Sequence, residues 1–283
     1  MAPDLAAEGP ETRTLGPWRA LLAGVLGFGY LYVGRMRTAL LLIAATLLLL
    51  LVLAWTRLIL VAEFVYLIVF VGFAVTAIQL VHPVLIAARH RTMPAKKYNR
   101  WWVYAIWTVG AYYSCNVIVL LRGEILGIEA YQSFLPYMSP TLEPGDMIIV
   151  DTWRYISARP VVGDIVMFRR PSGAKALGRI VGLPGDQLEI RSGKVVRNGR
   201  ALVEPYLHDS ILERFTRGRV VSMTLGSDEY YVLGDYRDMS RANDRFGPID
   251  SGEIVGRVEL LWFSENDDGI DWSRFPRYVG GDD

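Results

Sequence analysis

Three histidines, one cysteine and a close pair of aspartates are the side chains whose types invite chemistry. His82, His90 and His208 are scattered and lack the paired spacing that zinc ligands need, so each reads as a membrane-boundary or surface residue. Cys115 is the only cysteine and lies in an apolar stretch, where it can build neither a disulfide framework nor a thiolate cluster. Asp235 and Asp238 could be cast as a carboxylate pair, yet nothing nearby in sequence supplies the unlike environments that separate an acid from a base. No metal and no cofactor is expected.

The elements that must position any site divide the chain in two. Of 283 residues, 52% are hydrophobic, and the apolar excess falls almost wholly before residue 122. Thr38 to Trp55 is a charge-free run close to the roughly 20 residues that cross a bilayer core. Leu58 to Val81 is as long and carries one acid, Glu63, near its start, where it can reach the interface or face another helix. Trp101 to Leu121 is headed by Trp101, Trp102 and Tyr104, the aromatic type that favours the headgroup level. Trp18 to Val33 is apolar but short, and Gly24, Gly27 and Gly29 suit an interfacial or re-entrant segment. Residues 18–91 thus read as a membrane region and 101–121 as a further anchor span.

Basic residues give the orientation. Arg89, Arg91, Lys96, Lys97 and Arg100 crowd the loop before the anchor span, whereas Arg122 is nearly alone after it. The 92–100 loop is therefore expected in the cytoplasm, and Arg13, Arg19, Arg35 and Arg37 hold the N-terminal end there too. Three crossings then put the second half outside. The polar residues 1–17, with acids and prolines, lack the features of a cleaved secretory signal and read as a cytoplasmic tail. A net charge of +1 gives no global field to attract nucleic acid, and the lipid bilayer is the one partner read directly.

From Asp146 onward the apolar residues come in short runs of strand length: Met147 to Val150, Asp164 to Phe168, Gly178 to Leu183, Glu229 to Leu233 and Glu253 to Phe263. Gln187 to Val203 alternates apolar and polar positions around Ser192-Gly193 and Asn198-Gly199, dipeptides suited to tight turns, so two consecutive hairpins are predicted there. A compact, mostly β domain over 122–264 follows, with 265–283 read as a solvated tail.

Ordered motifs give that domain a resemblance. Tyr137-Met-Ser-Pro-Thr-Leu-Glu-Pro-Gly-Asp146 resembles the first box of the type I signal peptidases, a family of serine peptidases, with Met138, Pro140, Thr141, Leu142, Gly145 and Asp146 in agreement. Gly163-Asp164-Ile-Val resembles the second strand box. Arg179-Ile-Val-Gly-Leu-Pro-Gly-Asp186 is similar to the next, through Arg179, Gly182, Pro184, Gly185 and Asp186. Gly193 to Gly199 looks like the small hairpin after it, and Gly234-Asp-Tyr-Arg-Asp-Met-Ser240 with Phe246-Gly247 like the last box, through Gly234, Asp235, Arg237, Asp238 and Ser240. The likeness runs over roughly residues 98 to 264. It implies a multi-span α-helical membrane region followed by a mostly β signal-peptidase-like extracytoplasmic domain, in a bacterial cytoplasmic membrane.

That family cleaves signal peptides with a serine nucleophile and a lysine base. A serine hydroxyl attacks an amide only with a base to take its proton, and a lysine is that base only where burial keeps it neutral. Here the resemblance puts Tyr137 at the nucleophile position, Gly178 at the base position and Leu135 at the serine that helps hold the oxyanion. Tyr236 and Met239 replace asparagines, and Ala242-Asn243-Asp244 stand where Asp-Ser-Arg is expected. A displaced dyad of Ser139 and Lys175 can be drawn; in an extended segment Ser139 shares a face with Tyr137, but an offset of three puts Lys175 on the face opposite Gly178.

Three functions compete. A non-hydrolytic homologue would bind signal peptides, preproteins or another membrane protein, with strand addition supplying the contacts. An active peptidase would rely on Ser139 and Lys175. An assembly or anchoring subunit would work through the membrane half.

Overall fold

A computed structural model describes residues 12–191, 193–207, 220–237, 246–266, 269–274 and 277–279. The chain forms two compact units, residues 1–126 and 127–283.

In the first unit a two-stranded ribbon joins β1 (Thr12–Thr14) to β2 (Thr92–Pro94). The segment read as a polar tail and the basic loop thus pair with each other. Trp18 to Val33 folds as two short helices, α1 (Pro17–Val25) and α2 (Gly29–Tyr32), broken at Gly27, whose φ of 83° no side chain adopts easily. Neither is long enough to span a bilayer, and both bury residues: Ala20, Ala23, Tyr32 and Val33 join Ile86 and Ala87 in one apolar cluster. The Tyr30 hydroxyl and His82 Nδ1 are 2.9 Å apart, so His82 is a packing partner as well as a boundary residue.

Among the described residues, three helices are long and apolar enough to cross a membrane. α3 (Met36–Trp55) and α5 (Trp101–Leu120) match the expected spans closely. α4 (Ala62–Arg89) does not: Leu58–Leu60 is a 3₁₀ turn entered through Arg57 in the left-handed region, and the helix runs eight residues beyond Val81. The expected span of 58–81 is corrected accordingly. Its C-terminal end was hidden because His82 read as a boundary residue, whereas the apolar residues after it continue the helix and pack on α1.

The second unit begins after α6 (Arg122–Ile125). Its strands are β3 (Ile128–Gln132), β4 (Asp146–Asp151), β5 (Ile165–Arg169), β6 (Lys175–Gly182), β7 (Gln187–Arg191), β8 (Lys194–Arg197), β9 (Arg200–Ala201), β10 (Val221–Thr224), β11 (Glu229–Leu233), β12 (Gly247–Asp250), β13 (Ile254–Asn266), β14 (Gly269–Asp271) and β15 (Arg277–Tyr278), with one short helix, α7 (Arg154–Ser157), between β4 and β5. A nine-stranded sheet has the order β12-β11-β6-β5-β13-β4-β3, with β14 and β15 also on β13; a smaller sheet runs β10-β7-β8-β9. The two predicted hairpins are present as β7–β8 and β8–β9, and Gly193, Asn198 and Gly199 take the positive φ their turns require.

Alternation along β5 and β6 separates two cores. Ile165, Met167 and Leu177 join Met138, Leu142, Ile148, Val150, Val258 and Leu261, while Val166, Phe168, Ala176 and Ile180 join Tyr230, Val232, Phe246 and Ile249. Burying such side chains contributes about 1.5–3 kcal/mol each.

The described residues of 265–283 do not form the solvated tail expected there. β14 and β15 return along β13, Arg274 Nη2 donates to Asp146 at 2.9 Å, and Val279 is 5% exposed within the first core. Its polar composition hid the contacts, because the strap is held mainly by main-chain pairing and one apolar side chain.

Candidate functional site

Tyr137 stands on a single 3₁₀ turn, Pro136–Met138, with Ser139 extended just after it, so the strand alternation assumed between the two does not apply. Met138 and Leu142 anchor the turn in the first core at 1% and 0% exposure, and Pro140 between them is exposed. Gly145 ends this segment with φ of 95°, where a Cβ would lie 1.9 Å from the Glu265 carbonyl oxygen; only glycine fits. Leu135 precedes the turn and is half exposed.

The fold brings Tyr137 and Gly178 to one side of the sheet. The Tyr137 ring meets Phe246 edge-on, centroids 5.6 Å apart, and Phe246 meets Phe168 in the same way at 5.6 Å. Phe168 is the next neighbour of Gly178, where an added Cβ would sit 3.3 Å from Phe168 Cε1 and 3.3 Å from Val232 Cβ. Tyr137, Phe246 and Phe168 therefore form a series of ring contacts that ends against Gly178. Gly178 itself is buried and offers no side-chain group.

Ser139 and Lys175 are not brought together. The Ser139 hydroxyl donates to Glu143 Oε2 at 2.6 Å. Lys175 forms an ion pair with Glu129 of β3, and its parity along β6 puts it with Leu177, on the face away from Gly178. Each group is engaged by a carboxylate.

The remaining motif residues build a polar frame. Arg179 is 6% exposed and grips Asp235 twice, Nε to Oδ1 at 2.9 Å and Nη2 to Oδ2 at 2.6 Å, while Nη1 donates to the Gly163 carbonyl at 2.8 Å. The Thr141 hydroxyl donates to Asp235 Oδ2 at 2.6 Å, which ties the Tyr137 segment to β6. Burial acts to lower the Arg179 pKa, but the Asp235 contact outweighs it and holds it above its ordinary value. Asp235 is thus committed to Arg179, and Asp238 and Ser240, like Met239, Ala242, Asn243, Asp244 and His208, lie outside the described residues.

Arg237, 1% exposed, donates Nε to the Gly234 carbonyl at 2.7 Å, Nη1 to the Gly193 carbonyl at 2.5 Å and Nη2 to Glu204 at 2.6 Å. It ties the last box to the small hairpin. Asp186 accepts from the Leu183 N–H and from Asn198 at 2.7 Å each, and from Arg197, so the turn through Pro184 and Gly185 is fixed to β8. A Cβ at Gly182 beside it would come 2.5 Å from the Leu188 side chain and 2.9 Å from that of Leu225, so both would have to shift. Tyr206, unmarked by any motif, lies under Arg179 with the guanidinium 3.8 Å from its ring centroid, and its hydroxyl donates to Glu204 at 2.7 Å. No sequence signal pointed to it, because Arg179 and Tyr206 meet only through folding.

Comparison with known proteins agrees with this frame. The family described as signal peptidase, peptidase S26, matches residues 105–263, more than half of the 283. Signal peptidase IB of Staphylococcus aureus strain Mu50 is 29% identical over 164 residues, covering 53% of this chain and 85% of that protein. A probable signal peptidase I-1 of Synechocystis sp. is 30% identical over 135 residues, 44% of this chain and 66% of that one. A signal peptidase I of Enterococcus faecalis V583, of known structure, is 27% identical, with a TM-score of 0.31 over 35% of this chain and 97% of that one. With the family match spanning that length, this chain belongs to the signal peptidase family, peptidase S26.

Proposed function

We propose that this membrane protein is a non-hydrolytic member of its family, which holds signal-peptide-like segments of preproteins, or a membrane partner, without cutting them. The observation that carries the reading is the row Tyr137, Phe246, Phe168 and Gly178: where attacker and base are expected, rings pack against a bare glycine. A phenol with no neighbouring base among the described residues has nothing there to take its proton. The scaffold residues Thr141, Arg179, Asp235 and Arg237 are retained and bonded, which supports a domain kept for binding.

The domain is assigned to the outer face of a bacterial cytoplasmic membrane. Pairing of β1 with β2 puts Arg13 beside the loop that carries Lys96, Lys97 and Arg100, which supports a shared cytoplasmic side for both. Three crossings then lead outside.

Purified full-length protein in detergent, incubated with a labelled preprotein, is expected to retain it on a pull-down and release no mature product. Cleavage that disappears on Ser139→Ala would replace this reading with the displaced dyad.

A further inference from the structure

One edge of β13 is used in an unusual way. β4 covers its far side from Arg257 to Ser264, and β5 covers its near side only from Ile254 to Arg257. Beyond that point the near side would present a bare row of main-chain donors and acceptors, a template for another strand. Here β14 takes Ser264 to Asn266, and among the described residues β15 takes Leu260 and Leu261, with the Val279 N–H donating to the Glu259 carbonyl at 3.0 Å.

The strap fills an apolar slot as well. Val279 belongs to the cluster that contains Met138 and Leu177, the immediate neighbours of Tyr137 and Gly178. Its other side-chain anchor is the Arg274–Asp146 pair. Asp146 is fully buried, yet its Oδ1 has no hydrogen-bond partner among the described residues, so the strap satisfies this carboxylate incompletely.

We infer that the β13 edge from Glu259 to Leu261 is a strand-docking site, held in cis by Arg277–Val279 and open in trans to an extended peptide with a small branched apolar residue and a cation. Main-chain pairing supplies the contacts, the Val279 slot selects the side chain, and Asp146 receives the cation. The strap is thus a tethered competitor. This rests on the reading that the domain binds extended peptides.

The probe is a fluorescent peptide of residues 273–281, read by polarisation against the full chain in detergent. Removing residues 267–283 is expected to tighten its binding at least tenfold. In a Cys115→Ala background, Glu259→Cys with Val279→Cys places thiols at opposed positions of an antiparallel pair, where Cα atoms about 4.5–5.5 Å apart accept a disulfide. Oxidation is expected to abolish binding and reduction to restore it. Equal binding by the truncated and full chains, with circular dichroism unchanged, overturns the inference; so does peptide binding that oxidation leaves untouched, which decides the matter if the truncated chain fails to fold. A signal peptide bound equally by locked and unlocked protein overturns the inference and leaves the proposed function standing. The reverse, a 273–281 peptide that follows the lock while no signal peptide binds, supports the docking edge and removes the proposed ligand.

Discussion

Arg179 and Asp235, 56 positions apart in sequence, face each other as a two-point ion pair with side chains 7% and 0% exposed. A buried pair of this kind adds little net stability over apolar residues, but breaking it is costly because the survivor stays charged and unsolvated. Asp235→Ala is therefore expected to cost about 3–5 kcal/mol, seen as a large fall in the thermal midpoint of purified protein. A midpoint within a degree of the parent would contradict the frame described above.

Tyr206 offers a cleaner separation of contacts. Tyr206→Phe keeps the ring under Arg179 and loses only the bond to Glu204, whereas Tyr206→Leu loses the cation–π contact too. The second change is expected to cost about 0.5–2 kcal/mol more than the first, and equal losses would mean that the hydroxyl alone matters.

At Gly178 the expected outcome concerns packing. Gly178→Lys forces a side chain against Phe168 and Val232 and is expected to destabilise by about 1–3 kcal/mol. Paired with Phe168→Ala, part of that loss should return, since the ring that is removed is the one in the way. A strictly additive double change would show that the two sites do not compete for the same space.

Acid titration tests the turn at Asp186. Burial acts to raise its pKa, but Arg197, the Leu183 N–H and Asn198 outweigh burial and hold the carboxyl below the usual carboxylate range. A depressed folded pKa means that its stabilisation is complete above about pH 4 and is lost as pH falls through the folded value. Asp186→Asn is expected to lower stability at neutral pH and to flatten the decline below pH 4. An unchanged acid limb would count against the ion pair with Arg197.

Local signals in the chain identified much of this. A long charge-free apolar run, a positive-φ dipeptide between alternating runs, and ordered short motifs each express a constraint that acts within a few residues. The long apolar helices over Thr38–Trp55 and Trp101–Leu120, the two hairpins and the family followed from them. The Tyr137 and Gly178 positions were marked as unusual on the same basis.

What fills the space between those positions was another matter. Phe246 meets both Tyr137 and Phe168 only because three separate segments converge, and Tyr206 meets Arg179 although the hairpins of β7, β8 and β9 separate them in sequence. The same holds for the extension of α4 to Arg89, which packs on α1, and for the strap that lays Val279 into the core behind β13. Sequence alone determined the elements and the chemistry each position can offer. Tertiary structure decided which of those groups are neighbours, because contact between distant residues depends on how the whole chain excludes water, and no short window of residues encodes that.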